Sequence, residues 1–196
     1  MAMLLHACCG PCAMYPVDML LEQGRDIDLF WYNPNIHPAF EWQRRLDNLH
    51  RCADHFSVDL IEGGDNCLQS YWEEKTYLAD YESRCHMCYD IRLDAVASYA
   101  SENGYESFCT TLLVSPYQQH ELIRHTAEQK AEIYGVKFEY IDFRPGFRKG
   151  QNMARDIGLY RQKYCGCIFS LESSEFRDKI YRLFGTPGSL ASTSTE

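Results

Sequence analysis

No run in the sequence approaches the roughly 20 consecutive apolar residues of a bilayer-spanning helix, which argues against a transmembrane helix. The opening MAMLLHACCGPC has no basic n-region and only a short apolar stretch, so no signal peptide is expected and the chain reads as cytoplasmic. Nucleotide-binding signatures are missing as well. There is no GxxxxGK-S/T loop and no GxGxxG fingerprint, and the first strand is not followed by the SGGxDS of pyrophosphatase-type ATP enzymes. EGGDN at 62–66 echoes that motif only faintly and in the wrong place, so use of ATP is not expected. A CxxxCxxC triplet is also lacking, because residue 15 is Tyr, and no HExxH pair occurs. Basic residues are scarce: 19 Lys and Arg stand against 28 Asp and Glu, for a net charge of −9.

Those few basic residues are unevenly spread. Segment 144–163 holds Arg144, Arg148, Lys149, Arg155, Arg161 and Lys163 against Asp156 alone. A local basic stretch on an acidic body suits a phosphate-bearing partner, although charge alone fits a solvated helix face equally well.

The 196 residues, 45% of them hydrophobic, suffice for one domain with a real core. Strand-like runs at Met3–Ala7, Asp28–Tyr32, Val58–Glu62, Ser107–Leu113 and Lys137–Phe143 alternate with helical patterns. Pro11–Glu22 reads as a helix, with Pro11 in its first turn and Gly24 just past its end. Helical spacing recurs at Trp42, Leu46, Leu49, Ala53 and Phe56. It recurs again at Ile91, Ala95, Val96, Tyr99 and Ala100, and at Leu122, Ile123, Ala127, Ala131 and Tyr134 before Gly135. This alternation predicts a single α/β domain over 1–184, with a mostly parallel sheet flanked by helices. The small, polar segment 185–196 reads as a disordered tail. Ligands of such sheets bind beyond the carboxyl ends of the strands, where Cys8 and Cys9 follow the first strand. The next helix aims its N-terminus there, which favours thiolates.

Ten cysteines in a chain of this size point to metal or redox chemistry more than to a disulfide framework. Seven fall in three groups: CCGPC at 8–12, CHMC at 85–88 and CGC at 165–167. Cys85-x-x-Cys88 alone could be half a zinc site, a redox pair or part of an iron–sulfur site. Cys9-x-x-Cys12 could complete a zinc site, but that leaves Cys8 and the CGC pair without a task. Adjacent cysteines can reach different irons of a polynuclear cluster, which makes Cys8, Cys9, Cys85 and Cys88 the preferred four ligands. Cys165-Gly-Cys167 permits either a strained, readily reduced disulfide or a second metal site. Cys52 and Cys109 read as core residues, and Cys67 has no partner at useful spacing. His6 reads as a satisfied core histidine, and most of His37, His50, His55, His86, His120 and His125 as surface residues.

Five blocks, LLHACCGPC, NPNIHPAFEWQRR, SRCHMCYDIRL, TTLLVSPYQQHE and DFRPGFRKGQNMARDIGLYRQKYCGCIFS, run in order from residue 4 to about 170. They resemble the cobalamin-independent epoxyqueuosine reductases of the QueH type. The resemblance implies a fold similar to the adenine-nucleotide α-hydrolases without their ATP loop. It implies reduction of epoxyqueuosine to queuosine in a tRNA anticodon loop, with an external low-potential electron donor. It also implies a 4Fe–4S cluster with a neighbouring iron. Carried over by motif, the cluster ligands fall among Cys8, Cys9, Cys85 and Cys88. Cys165 and Cys167 become the redox-active pair or ligands of the extra iron, and Cys12, at a position shared in the family between Cys and Asp, a further candidate for that metal. Arg144, Arg148, Lys149, Arg155 and Arg161 are the expected phosphate contacts, with Tyr160 and Tyr164 available for stacking or for packing. The rival readings are a zinc-bearing RNA-binding module without catalysis and a thiol–disulfide oxidoreductase.

Overall fold

The run MLLH, too short for a helix and apolar throughout but for its last residue, forms the central strand β1 (Met3–His6), every residue of which is buried. The computed structural model describes residues 2–65, 68–78 and 81–184. Strands β2 (Ile27–Trp31), β3 (Leu60–Glu62), β4 (Ser107–Thr110) and β5 (Lys137–Phe138) complete a five-stranded sheet in the order β3-β2-β1-β4-β5. All pairings are parallel, with Met3 level with Ile27 on one side and with Ser107 on the other. Chain direction across the sheet reverses between β1 and β4. That makes their carboxyl ends the switch point where such sheets bind ligands.

Helices α1 (Gly10–Glu22), α2 (Ala39–Phe56), α3 (Gln69–Leu78), α4 (Arg84–Glu102), α5 (His120–Tyr134), α6 (Phe147–Asp156), α7 (Ile168–Glu172) and α8 (Arg177–Phe184) surround it. Helix α1 packs on α2 and α6, and α4 on α5, giving two helical layers. None of the helices among the described residues is long and apolar enough to cross a membrane. Gly10 opens α1 where a Cβ would lie 2.4 Å from the Asn48 carbonyl oxygen, so only glycine lets α1 and α2 approach this closely.

The buried residues form two clusters. The main one spans the sheet and its helices and includes Cys9 and Cys12. A smaller one gathers Trp72, Met87, Cys88, Tyr164, Ile168, Leu171 and Ile180. Two of the three cysteine groups thus contribute to different cores.

Two strands end earlier than the sequence pattern suggests. The run expected over Ser107–Leu113 leaves the sheet after Thr110, whose Oγ1 accepts the Leu112 N–H at 3.2 Å and turns residues 111–114 into a 3₁₀ helix. Strand β5 pairs with only the first two residues of β4, Ser107 and Phe108, and ends at Phe138 instead of reaching Phe143, although β4 itself runs on to Thr110. On α4 the buried face is Leu93, Val96, Ala97 and Ala100, whereas Ile91, Ala95 and Tyr99 are only half-buried. Segment 185–196 and Cys67 lie outside the described residues.

Candidate metal centre

The turn between β1 and α1 brings the Sγ atoms of Cys8, Cys9 and Cys12 within 4.8 Å of one another. Cys9 is the N-cap of α1 and Pro11 occupies its first turn, so the first turn of the helix opens beside the three sulfurs. The Cys8 N–H donates to Thr111 Oγ1 at 3.2 Å, and that hydroxyl donates on to Cys8 Sγ at 3.6 Å. Gln162 Nε2 donates to Cys12 Sγ at 3.2 Å. Donation from Cys12, then from Cys9, holds the Cys8 thiol well below the usual thiol range. Burial pushes Cys9 up, and the proton that Cys12 shares with Cys8 pushes Cys12 up.

Helix α4 brings the second group. Its N-cap Ser83 accepts the His86 N–H at 3.1 Å, which starts the helix at Arg84 and puts Cys85 and Cys88 in its first turns. Cys88 is buried, which raises its thiol to about 12, while Arg92 Nη1 donates to its Sγ at 3.7 Å. Cys85 and Cys165 line the same cavity, which places the third group beside the second.

The CGC loop is clamped from α2. Arg45 donates to the carbonyls of Cys165 and Tyr164, each at 2.9 Å, and its own charge is met by Glu41 at 2.7 Å, both side chains being almost fully buried. The Gly166 carbonyl accepts the His37 N–H at 2.9 Å, and Tyr164 Oη donates to the His37 carbonyl. Gly166 has φ +116°, a conformation essentially restricted to glycine. Cys165 and Cys167 are both free thiols.

Cys8, Cys12, Cys85 and Cys165 line one cavity of about 510 Å³, within the usual range for small-molecule sites. Tyr89, Gln118, Gln119, Gln151 and Lys163 form much of the polar wall, and Tyr117 and Phe147 bring aromatic rings to it. Tyr89 Oη donates to Gln118 Oε1 at 2.5 Å. Cys9 and Cys88 do not line the cavity; they are buried, one in each of the two cores.

The basic segment divides. Arg144 is held by Asp142 through two contacts of 2.7 and 2.8 Å, and Lys149 by Asp18 at 2.7 Å. Arg148, Arg155 and Arg161 are exposed, without an ion pair among the described residues. Tyr160 and Tyr164 pack internally: Arg44 lies 3.6 Å from the centre of the Tyr160 ring, whose hydroxyl donates to Glu41. Most histidines fall as expected, and His6 is fully buried against Thr110 and the Tyr32 carbonyl, but His37 and His120 are buried too. Cys52 and Cys109 are core residues.

Sequence reasoning passes over Glu41, Arg45, Asn33, Arg92, Thr111 and Gln162. A charged or amide residue on a predicted buried helix face was the available signal, clearest for Arg45 beside Leu46 on the stripe of α2.

A family model described as epoxyqueuosine reductase QueH matches residues 3–173. The chain belongs to the QueH family. Proteins named epoxyqueuosine reductase QueH from Dehalococcoides mccartyi and Thermotoga maritima are each 36% identical to it. The first aligns over 96% of this chain and 98% of its own length, the second over 93% and 97%. A Helicobacter pylori QueH is 35% identical over 87% of this chain but 49% of its own length. The QueH match covers β1 to α7, and so all three cysteine groups that meet at the centre.

Proposed function

We propose that the chain reduces epoxyqueuosine to queuosine in the anticodon loop of tRNA, in the cytoplasm, at a thiolate-held iron–sulfur centre. The observation that carries this reading is the convergence of three cysteine groups on one cavity at the β1/β4 switch point. Six sulfurs besides Cys12 exceed what one zinc needs, and soft thiolate donors suit iron–sulfur chemistry. Cys8, Cys9, Cys85 and Cys88 would hold a 4Fe–4S cluster, with Cys12, Cys165 and Cys167 left for a neighbouring iron or for thiol redox chemistry. When bound, such a centre supplies electrons from an external low-potential donor and, at an iron with an open position, Lewis acidity.

The remaining work falls to the protein. Thr111, Gln162 and Arg92 aim hydrogen bonds at Cys8, Cys12 and Cys88 and fix their sulfurs. Removing the epoxide oxygen as water takes two electrons and two protons, and the Tyr89 hydroxyl brings a proton to the cavity wall. Gln118, Gln119 and Gln151 offer amides to the edge of a base splayed out of the loop.

The deciding experiment is anaerobic purification with iron and acid-labile sulfide analysis, then single turnover on epoxyqueuosine-tRNA with a strong reductant. About four or more irons per chain and formation of queuosine are expected. Zinc without iron, or no product from the iron-loaded protein, overturns the reading.

Binding of the loop separates two contributions. Combined Arg148→Ala and Arg161→Ala should flatten the dependence of log affinity on log salt by roughly 0.7 per lost phosphate contact. Tyr117, 86% exposed and edge-on to Phe147 at the cavity, is placed to stack on a neighbouring base. Tyr117→Ala should weaken tRNA binding roughly 10-fold with an unchanged salt slope, and Tyr117→Trp should retain it. Titration of labelled anticodon stem-loop at several salt concentrations measures both.

A further inference from the structure

One turn beyond Cys88, helix α4 buries an arginine whose charge no acid among the described residues meets. Arg92 is 3% exposed. Its Nη2 donates to Asn33 Oδ1 at 2.7 Å, its Nη1 to Cys88 Sγ at 3.7 Å, and its Nε has no hydrogen-bond partner. Among the described residues no carboxylate pairs with it. Asp90 and Asp94, the acids on either side of it in α4, are tied to Lys130 at 2.8 and 3.0 Å. Arg45 makes the contrast: it is equally buried, but it has Glu41 at 2.7 Å. An uncompensated guanidinium in a protein interior is strongly unfavourable. The group in contact with Arg92 that can take negative charge is the Cys88 thiol, 3.7 Å from its Nη1.

Asn33 fixes the arrangement. Its Nδ2 donates to the Ala7 carbonyl at 2.9 Å while its Oδ1 receives Arg92, so one amide ties the residue before Cys8 to the helix that carries Cys88.

We infer that Arg92 is the built-in counter-ion of the metal centre, held by Asn33 against Cys88 so that its positive charge is balanced when Cys88 and the other thiols of the centre are bound as thiolates. The inference rests on the reading above that these thiols hold metal, and it adds a role for the charge. A fixed cation beside a redox centre favours the added electron, so Arg92 raises the reduction potential. It also ties folding to loading, because without thiolates the charge stands alone.

Full-length wild type, Arg92→Gln and Arg92→Lys, purified anaerobically, test this by redox titration and by thermal unfolding with and without metal. In Arg92→Gln the midpoint potential should move to a more negative value, and Arg92→Lys should bring it back toward wild type. Metal-free Arg92→Gln should melt at or above metal-free wild type, while the loaded variant melts below loaded wild type. Arg92→Met provides the same comparison if the glutamine variant does not fold. A wild-type potential in Arg92→Gln, or equal loss of melting temperature in both metal states, assigns the arginine a purely structural role and overturns the inference. A wild-type chain that takes up neither iron nor zinc overturns the metal reading itself, and the inference falls with it.

Discussion

On the proposed iron–sulfur reading, serine in place of Cys8 is expected to strip the chain of iron and of turnover while leaving the fold intact. Cys8 sits at the switch point, with its Sγ 3.9 Å from that of Cys9 and with Thr111 donating to it, so it is the sulfur most fully prepared to be a thiolate. A serine hydroxyl fills the same space and keeps the Thr111 contact, but it is a poor iron ligand. The fall in single-turnover rate should exceed the roughly 10–100-fold that changes to outer hydrogen-bond partners of a metal site produce. Cys88→Ser should behave alike. Cys52→Ala gives the opposite pattern: the residue is fully buried away from the cavity, so activity should persist with a loss of about 1 kcal/mol in stability from the lost packing. Iron content, far-UV circular dichroism and single turnover on the three variants check the contrast. Retained iron and product in Cys8→Ser would remove Cys8 from the centre. Cys12→Ser completes the series, since its Sγ belongs to the same group of three, and loss of part of the iron with retained cluster absorption would assign it to the neighbouring metal.

Alanine at Gly166 is expected to lower turnover on the order of 100-fold without unfolding the protein, because sub-ångström placement of reacting groups carries factors of that size. The residue has φ +116°, where a side chain is strained in any surroundings. Its surroundings are also closed: an added Cβ would lie 2.9 Å from Ile36 Cγ1 and 3.0 Å from Arg45 Nη1. Relief requires the loop to lift from Arg45, which moves Cys165 and Cys167 together. Gly24→Ala is the control, with φ +71° and nothing within 4 Å of the added atom. Both variants should lose a few °C of melting temperature, since backbone strain of this kind amounts to roughly 1–3 kcal/mol. Only Gly166→Ala should lose activity. Equal activity in the two would mean that the position of the CGC loop does not matter to the reaction.

Much of this architecture is legible in the residues. Short β-rich runs separated by amphipathic helices give the parallel sheet, and Pro11 and Gly135 mark helix ends through fixed local geometry. The three cysteine groups announce themselves by spacing. What stays hidden depends on partners distant in sequence. Nothing near Lys137 says that its strand will pair with only Ser107 and Phe108 of β4. The same holds in the basic segment for Lys149, which Asp18 neutralises from 131 residues away, whereas the Asp142 that holds Arg144 stands only two residues before it. Arg45 and Arg92 read locally as ordinary charges on helices. Their meaning comes from carbonyls and thiols that the fold brings to them.

The Arg45 clamp also has a consequence for biogenesis. Its two acceptor carbonyls, on Tyr164 and Cys165, lie 119 and 120 residues downstream. During synthesis, β1, α1 and α2 emerge first and carry Cys8, Cys9 and Cys12 with them, and Cys85 and Cys88 follow on α4. The Arg45 side of the clamp is thus synthesised long before Cys165 and Cys167. The full set of sulfurs can therefore come together only once synthesis has passed Cys167.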